Sequence, residues 1–240
     1  MLLQLADPAV AAGVAAHSGF RLDPTRRLAG TLEYLYVLAF GTEEEIRRVA
    51  RSVGVAHRGV QGDEPVRYDA RDPELQLWVA ATLYDTTVQV WEAVHGPLPE
   101  ATADAVYRES ARIGTALGMP LASWPTDRAA FREYWEQRVA RLEVTPPARA
   151  VAVSLLRPRT GPMWLRGLMP LARVVTAGLL PEAVRRGYGV RWDDRLGRQF
   201  ARRFGLLLAV YRILPRTIRR APSRLLLARF RGAAPASTPS

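Results

Sequence analysis

The run Asp72-Pro73-Glu74-Leu75-Gln76-Leu77-Trp78-Val79-Ala80-Ala81-Thr82-Leu83 decides the fold class. An aspartate that can accept from the first free backbone N–H groups stands before a proline at the first helical position, and an acidic residue follows. From Glu74 the pattern predicts a helix to about Val94, burying Leu75, Trp78, Val79, Leu83, Val90 and Trp91, with Gly96-Pro97 as the stop. The same punctuation recurs in both directions. Asp23-Pro24 opens a helix to Phe40 that closes at Gly41, and Thr42 with Glu45 forms a capping box for a helix through His57, stopped by Gly59 and Gly62. Upstream, the stretch to Ser18 reads as one amphipathic helix; downstream, helices are expected over Glu100 to Leu117 and Thr126 to Leu142. Beyond Pro146-Pro147 they become shorter: Ala148 to Leu156, Trp164 to Leu180, Asp193 to Ile213 and Ser223 to Phe230. No stretch alternates apolar and polar residues with β-branched enrichment, so the chain is predicted to be all-α, with no internal repeat.

The composition narrows the chemistry. A chain of 240 residues, 48% hydrophobic and 24% charged, can bury a sizeable core. Zero cysteines exclude a disulfide scaffold, thiolate-held metals and clusters, covalently attached c-type haem and a Cys nucleophile. All 34 basic residues are Arg, which excludes lysine Schiff bases and a P-loop lysine. The net charge of +11 is unevenly placed: residues 1–150 hold 16 Arg against 20 acids, residues 151–240 hold 18 Arg against 3. An arginine-rich segment of this kind meets nucleic acid, anionic lipid or an acidic partner. Nucleic acid is the least expected of these, since no aromatic-basic recognition module is visible. Three parts are expected: a helical core over 1–147, an Arg-rich helical part over 148–231 packed on it, and a disordered Ala/Pro/Ser tail over 232–240.

No secretory signal precedes the first helix, and the greasiest region, Trp164 to Leu180, is cut by Arg166, Pro170 and Arg173, too short an apolar run to span a bilayer. The expectation is a cytoplasmic protein, able to rest on a membrane surface. Motifs for hydrolases, zinc proteases and dinucleotide binding are absent, and Asp193-Asp194 reads as a helix cap. The histidines are His17, His57 and His95. His57, at a helix end among Val53, Gly54, Ala56 and Gly59, has small neighbours that would let a flat macrocycle approach, and haem needs only one axial imidazole from the protein. A lone helical His is more often a helix-end cation or a satisfied core group. Arg27 and Thr31, four apart, share a helix face suited to polarising a bound ligand, or simply to solvent.

Several ordered segments carry a resemblance. Leu2 to Val14 with His17-Ser18, Arg27-Leu28-Ala29-Gly30-Thr31, Phe40-Gly41 and Ala56-His57-Arg58-Gly59-Val60-Gln61-Gly62 are followed by Tyr68-Asp69-Ala70-Arg71-Asp72-Pro73-Glu74 and Leu77-Trp78-Val79-Ala80-Ala81-Thr82. Leu179-Leu180-Pro181, Gly187-Tyr188-Gly189 and Leu214-Pro215 continue the series. In order and spacing, over about nine-tenths of the chain, this resembles the haem-dependent oxygenases that include the latex-clearing rubber oxygenases and the mycophenolic-acid-pathway oxygenase. The resemblance implies a globin-like helical core around non-covalent haem b, with His57 as the iron ligand and Arg27 and Thr31 as polar groups of the distal pocket. It also implies dioxygen as co-substrate and a hydrophobic, isoprenoid-type substrate whose carbon–carbon double bond is cleaved. The chain departs from the family at Gly30, where relatives can carry an iron-reaching Lys, and at Ala80 and Asp7, where a His is often found. A haem-free relative acting at a membrane or on a partner through its last ninety residues is the alternative reading.

Overall fold

The computed structural model describes residues 1–17, 24–157 and 163–233, and the architecture there is all-α. The first surprise is the N-terminus. The single amphipathic helix expected to Ser18 is two helices, α1 (Leu2–Leu5) and α2 (Pro8–Ala16), and Ser18 lies outside the described residues. Neither helix has a wet face to speak of: Leu2, Leu3, Leu5, Ala6, Ala11, Ala12 and Val14 are all buried. The break is at Asp7, whose carboxylate accepts from the N–H groups of Ala9 and Val10 and so caps α2 ahead of Pro8.

The N–H groups of Ala6 and Asp7 reach Leu2 O, Leu3 O and Gln4 O locally, but each buried carbonyl has a second lone pair. The rest of the chain supplies further donors. Tyr188 Oη donates to Leu2 O at 2.8 Å, Trp78 Nε1 to Gln4 O at 3.3 Å and the Glu143 N–H to Ala6 O at 3.0 Å. Asp7 is itself buried and takes Arg138 Nη2 at 2.6 Å. One buried turn thus gathers three distant parts of the sequence, at Trp78, at Arg138 to Glu143 and at Tyr188.

Downstream, the capping arguments hold at most boundaries. α3 (Pro24–Phe40) ends before Gly41, and α4 (Glu43–Arg58) starts from the Thr42–Glu45 capping box. α5 (Pro73–His95) starts from Asp72 and ends at Gly96, whose φ of 85° suits a residue without a Cβ. The loop between α4 and α5 carries a short antiparallel pair, β1 (Gln61–Gly62) and β2 (Tyr68–Asp69), where no strand was expected. The helix expected over Glu100 to Leu117 is divided at Ala111 into α6 (Glu100–Ser110) and α7 (Arg112–Thr115), followed by a 3-10 turn at Leu121–Ser123. Then come α8 (Arg128–Ala140), capped by Asp127, and α9 (Pro146–Leu156), capped by Thr145. Both prolines of the Pro146-Pro147 pair sit in the first turn of α9, and its Ala148, Val151 and Ala152 pack against α1 and α2. α10 (Met163–Leu179), α11 (Glu182–Gly187) and α12 (Asp194–Ile213) follow. α13 (Arg216–Gly232) starts seven residues earlier than the expected Ser223 and runs through Pro222, which is exposed, so that water can reach the carbonyl the proline leaves unbonded. Of the tail, residues 234–240 lie outside the described part.

Three apolar clusters hold the helices. Trp78, fully buried, joins the first to α1, α2, α9 and the α11 region, through Leu5, Ala11, Val151 and Val184. Leu77, Ala81 and Tyr84, one turn apart on another face of α5, meet the rings of Tyr107, Trp124 and Phe131, with Tyr84 edge-on to all three. The third binds α3 and α4 to α13 through Tyr34, Val37, Ile46, Val49 and Phe230. Each fully buried side chain of the Leu or Val kind contributes about 1.5–3 kcal/mol by burial. Val90 and Trp91, expected in the core, are 37% and 48% exposed, because they lie on the outer face of the last turns of α5, whose other face buries Val94; Trp91 packs on His95 instead, with ring centroids 4.3 Å apart.

Replacing Asp7 by Ala removes the α2 cap and leaves Arg138 facing a buried gap, and should cost about 2–4 kcal/mol in urea denaturation. On α5, Asp85 is half-buried and burial raises its carboxyl to about 6, although Gln89 Nε2 donates to it at 2.6 Å. A carboxyl raised on folding contributes stability below its unfolded value of 3.8 that is lost as pH rises through 6. Asp85→Asn should therefore raise the melting temperature relative to wild type at pH 7.5 and not at pH 4.

Candidate functional site

A cavity of about 650 Å³ lies among α2, α3, α4, the β1–β2 loop, α5 and α7. That is within the range of cofactor and small-molecule sites, roughly 300–1,000 Å³. α5 makes one wall because its residues fall on two buried faces. Leu77, Ala81 and Tyr84 turn to the aromatic cluster, while Gln76, Val79, Ala80 and Leu83, spaced at three and four, line the cavity. Small residues keep the space open. Ala80 is 1% exposed on the cavity wall, and a Cβ on Gly30 of α3 would meet no heavy atom within 4 Å. The remaining walls include Val10, Val14, Val49, Val53, Val60, Ile113 and Leu117, so the enclosure is largely apolar.

Polar side chains enter the lining from several elements, Glu33 and Ser52 among them. His57, half-buried on the last turn of α4, lines the cavity, as do Thr31 of α3 and His17 at the C-terminal end of α2. The Arg27 side chain lies outside the described residues, although its backbone is part of α3, one turn before Thr31. The structure thus brings His57 and Thr31 to one cavity. His95 is exposed at the end of α5, far along that helix from the lining residues.

Several lining groups were not singled out from the sequence. Tyr68, from β2, is buried, and its Oη stands 3.2 Å from His17 Nε2, with the two rings edge to face. Two glycines make room for it: a Cβ on Gly13 would lie 3.1 Å from the Tyr68 ring, and one on Gly62 would lie 2.6 Å from its hydroxyl. Tyr34 donates from Oη to Ile113 O at 2.8 Å, and burial pushes its phenol far above the usual range, so it remains a neutral donor tying α3 to α7. Gln4 reaches Thr82 Oγ1 at 3.0 Å, and Thr82 in turn donates to Val79 O at 2.7 Å. Gln76, 7% exposed, donates from Nε2 to Ala70 O at 3.3 Å, while its Oε1 has no partner among the described residues. The signal for Gln76 was its place on the i, i+4, i+7 stripe with Ala80 and Leu83; the His17–Tyr68 pair, 51 residues apart, left no local trace.

Among the described residues no three His, Asp or Glu side chains converge as a metal-holding cluster. A metal at this cavity would have to bring most of its ligands with it, as the iron of a macrocycle does. The imidazoles of His57 and His17, a largely apolar enclosure and glycine or alanine positions at the walls suit such a group.

Residues 1–213 match the family described as "ER-bound oxygenase mpaB/B'/Rubber oxygenase, catalytic domain". Among curated proteins, an uncharacterized protein of Mycobacterium bovis and one of Mycobacterium tuberculosis are each 38% identical to this chain over 225 residues, covering 91% of it and 87% of theirs. No solved structure gives a significant match.

The space left by Gly13 can be tested directly. Gly13→Val should force the Tyr68 ring aside, costing about 1–3 kcal/mol in denaturant unfolding. It should also shift the His17 imidazole resonances in NMR spectra while leaving those of His95 in place.

Proposed function

The chain belongs to the mpaB/rubber oxygenase catalytic-domain family, and from that premise we propose that it is a haem b-dependent oxygenase that oxidises or cleaves a hydrophobic, isoprenoid-type substrate with dioxygen. The observation that carries the reading is the convergence of His57 and Thr31 on one cavity of about 650 Å³ with mostly apolar walls. When bound, the haem would supply the redox chemistry that activates dioxygen.

The chain's own residues supply position and polarity. His57 on α4 would hold the iron through its imidazole, on a helix whose capping box and contacts with α3 fix its axis. Arg27 and Thr31, on one face of α3, would donate to charge that develops on oxygen, in a pocket where water is scarce and a fixed donor counts for more. Leu75, Val79, Leu83 and Leu117 would hold an alkene by apolar contact. Cleavage of a carbon–carbon double bond places one atom of dioxygen on each carbon, giving two carbonyl products without an external reductant. Gly30 stands where relatives can carry a lysine, and a Cβ there would meet no heavy atom within 4 Å, so this position of α3 would leave room for a ligand. Where relatives often have a histidine, Ala80 extends the same apolar wall.

Titration of the purified protein with haemin should give a saturable Soret band, and His57→Ala should weaken uptake at least tenfold with helix content unchanged. The loaded wild type should consume dioxygen when a polyprenyl alkene is added and release carbonyl products. Folded wild-type protein that takes up no haemin would overturn the reading.

A further inference from the structure

The helix α12 (Asp194–Ile213) is twenty residues long and buries none of them. Its inner side rests on α10, where Phe200 occupies the place a Cβ on Gly178 would need, and Phe200 stacks on Phe204. Arg212 fastens its end by donating from Nε to Val94 O at 2.7 Å and from Nη2 to Ala93 O, the last carbonyls of α5. The outer side packs on nothing among the described residues. At 100° per residue, Arg195, Arg198, Arg202, Leu206, Val210 and Ile213 fall on one face, and all six are exposed. That face has two halves: three arginines over its first turns, then Leu206 at 66%, Val210 at 46% and Ile213 at 80% exposure. From Arg195 to Ala233 the sequence holds eleven arginines and no acidic residue.

We propose that the outer face of α12 docks on the surface of an anionic phospholipid bilayer. A soluble partner's acidic surface would satisfy the arginines and leave Leu206, Val210 and Ile213 in water. A lipid surface satisfies both halves of the face: guanidinium groups pair with phosphate, and the apolar half enters the headgroup–acyl boundary. Asp193 and Asp194 stand at the start of the helix, where Asp193 serves as the cap, and among the described residues neither forms an ion pair with Arg195, Arg198 or Arg202. None of the described helices is long and apolar enough to cross a membrane, so the contact is peripheral. Binding of this kind depends on surface charge and weakens with salt.

The test is co-sedimentation of the full chain with large vesicles of phosphatidylcholine alone or with about 30 mol% phosphatidylglycerol. The wild type should bind the anionic vesicles at least tenfold more tightly and be released at about 0.5 M salt. Leu206→Glu with Ile213→Glu should abolish the apolar contribution, and Arg198→Gln with Arg202→Gln should remove most of the preference for anionic lipid. These side chains are exposed, so each pair should retain wild-type circular dichroism. Equal binding to both vesicle types, or unchanged binding by both double variants, would overturn the proposal. A dimer in gel filtration that the Leu206/Ile213 variant dissociates, with no vesicle binding by wild type, would also overturn it and assign the face to a second copy. None of these outcomes depends on haem uptake.

Discussion

The structure depends on keeping one buried polar turn fully satisfied, the turn Ala6-Asp7 between α1 and α2. An aspartate taken out of water at this depth is tolerable only if its oxygens are occupied, and Asp7 has two backbone N–H groups and the Arg138 guanidinium. The buried carbonyls of Leu2, Gln4 and Ala6 take donors from Tyr188, Trp78 and Glu143, which for Leu2 and Gln4 add to local N–H bonds. Because those donors come from α5, the α8–α9 connection and the end of α11, the turn sets where three distant segments must lie. α2, launched from it, then presents Val10, Gly13 and His17 to the cavity. This also gives a physical content to Asp7 standing where relatives often carry a histidine: here the position works as a cap and an ion-pair partner.

The cavity follows from subtraction as much as from placement. Gly13, Gly30 and Ala80 are positions where a larger side chain would occupy the space, and two glycines flank Tyr68 so that its hydroxyl can reach His17. Close packing elsewhere makes such a void conspicuous, since interiors rarely leave unfilled volume without a ligand to fill it. The polar groups are spaced around a largely apolar lining, which suits a group that carries its own metal ligands and a substrate recognised by shape.

Helix starts were legible in the sequence wherever the cap chemistry is local. Thr42 with Glu45, Asp72 before Pro73 and Asp193 act in the structure as their spacing indicates. Asp7-Pro8 carries the same signal as Asp72-Pro73, but continuous apolar residues on both sides mask it. The break at Ala111 has no glycine or proline to mark it; it comes from tertiary packing, with the Met119 side chain folded back against Gly114. Val90 and Trp91 obey the helical period and still lie outside the core, because periodicity groups residues into faces and does not say which face the partner helices cover. At the site, local chemistry left His57 open between a helix-end cation and a ligand; only the ordered motifs pointed to haem, and only the fold brought His57, Thr31 and His17 to one cavity.

With three histidines in the chain, the proposed iron ligand can be tested by a single vibration. The most direct measurement is resonance Raman spectroscopy of the haem-loaded ferrous protein, grown with natural and with 15N-labelled histidine. The account predicts an iron–nitrogen stretch that shifts on labelling, disappears in His57→Gly and returns when imidazole is supplied. An unshifted spectrum, or the same isotope shift persisting in His57→Gly without imidazole, would contradict it.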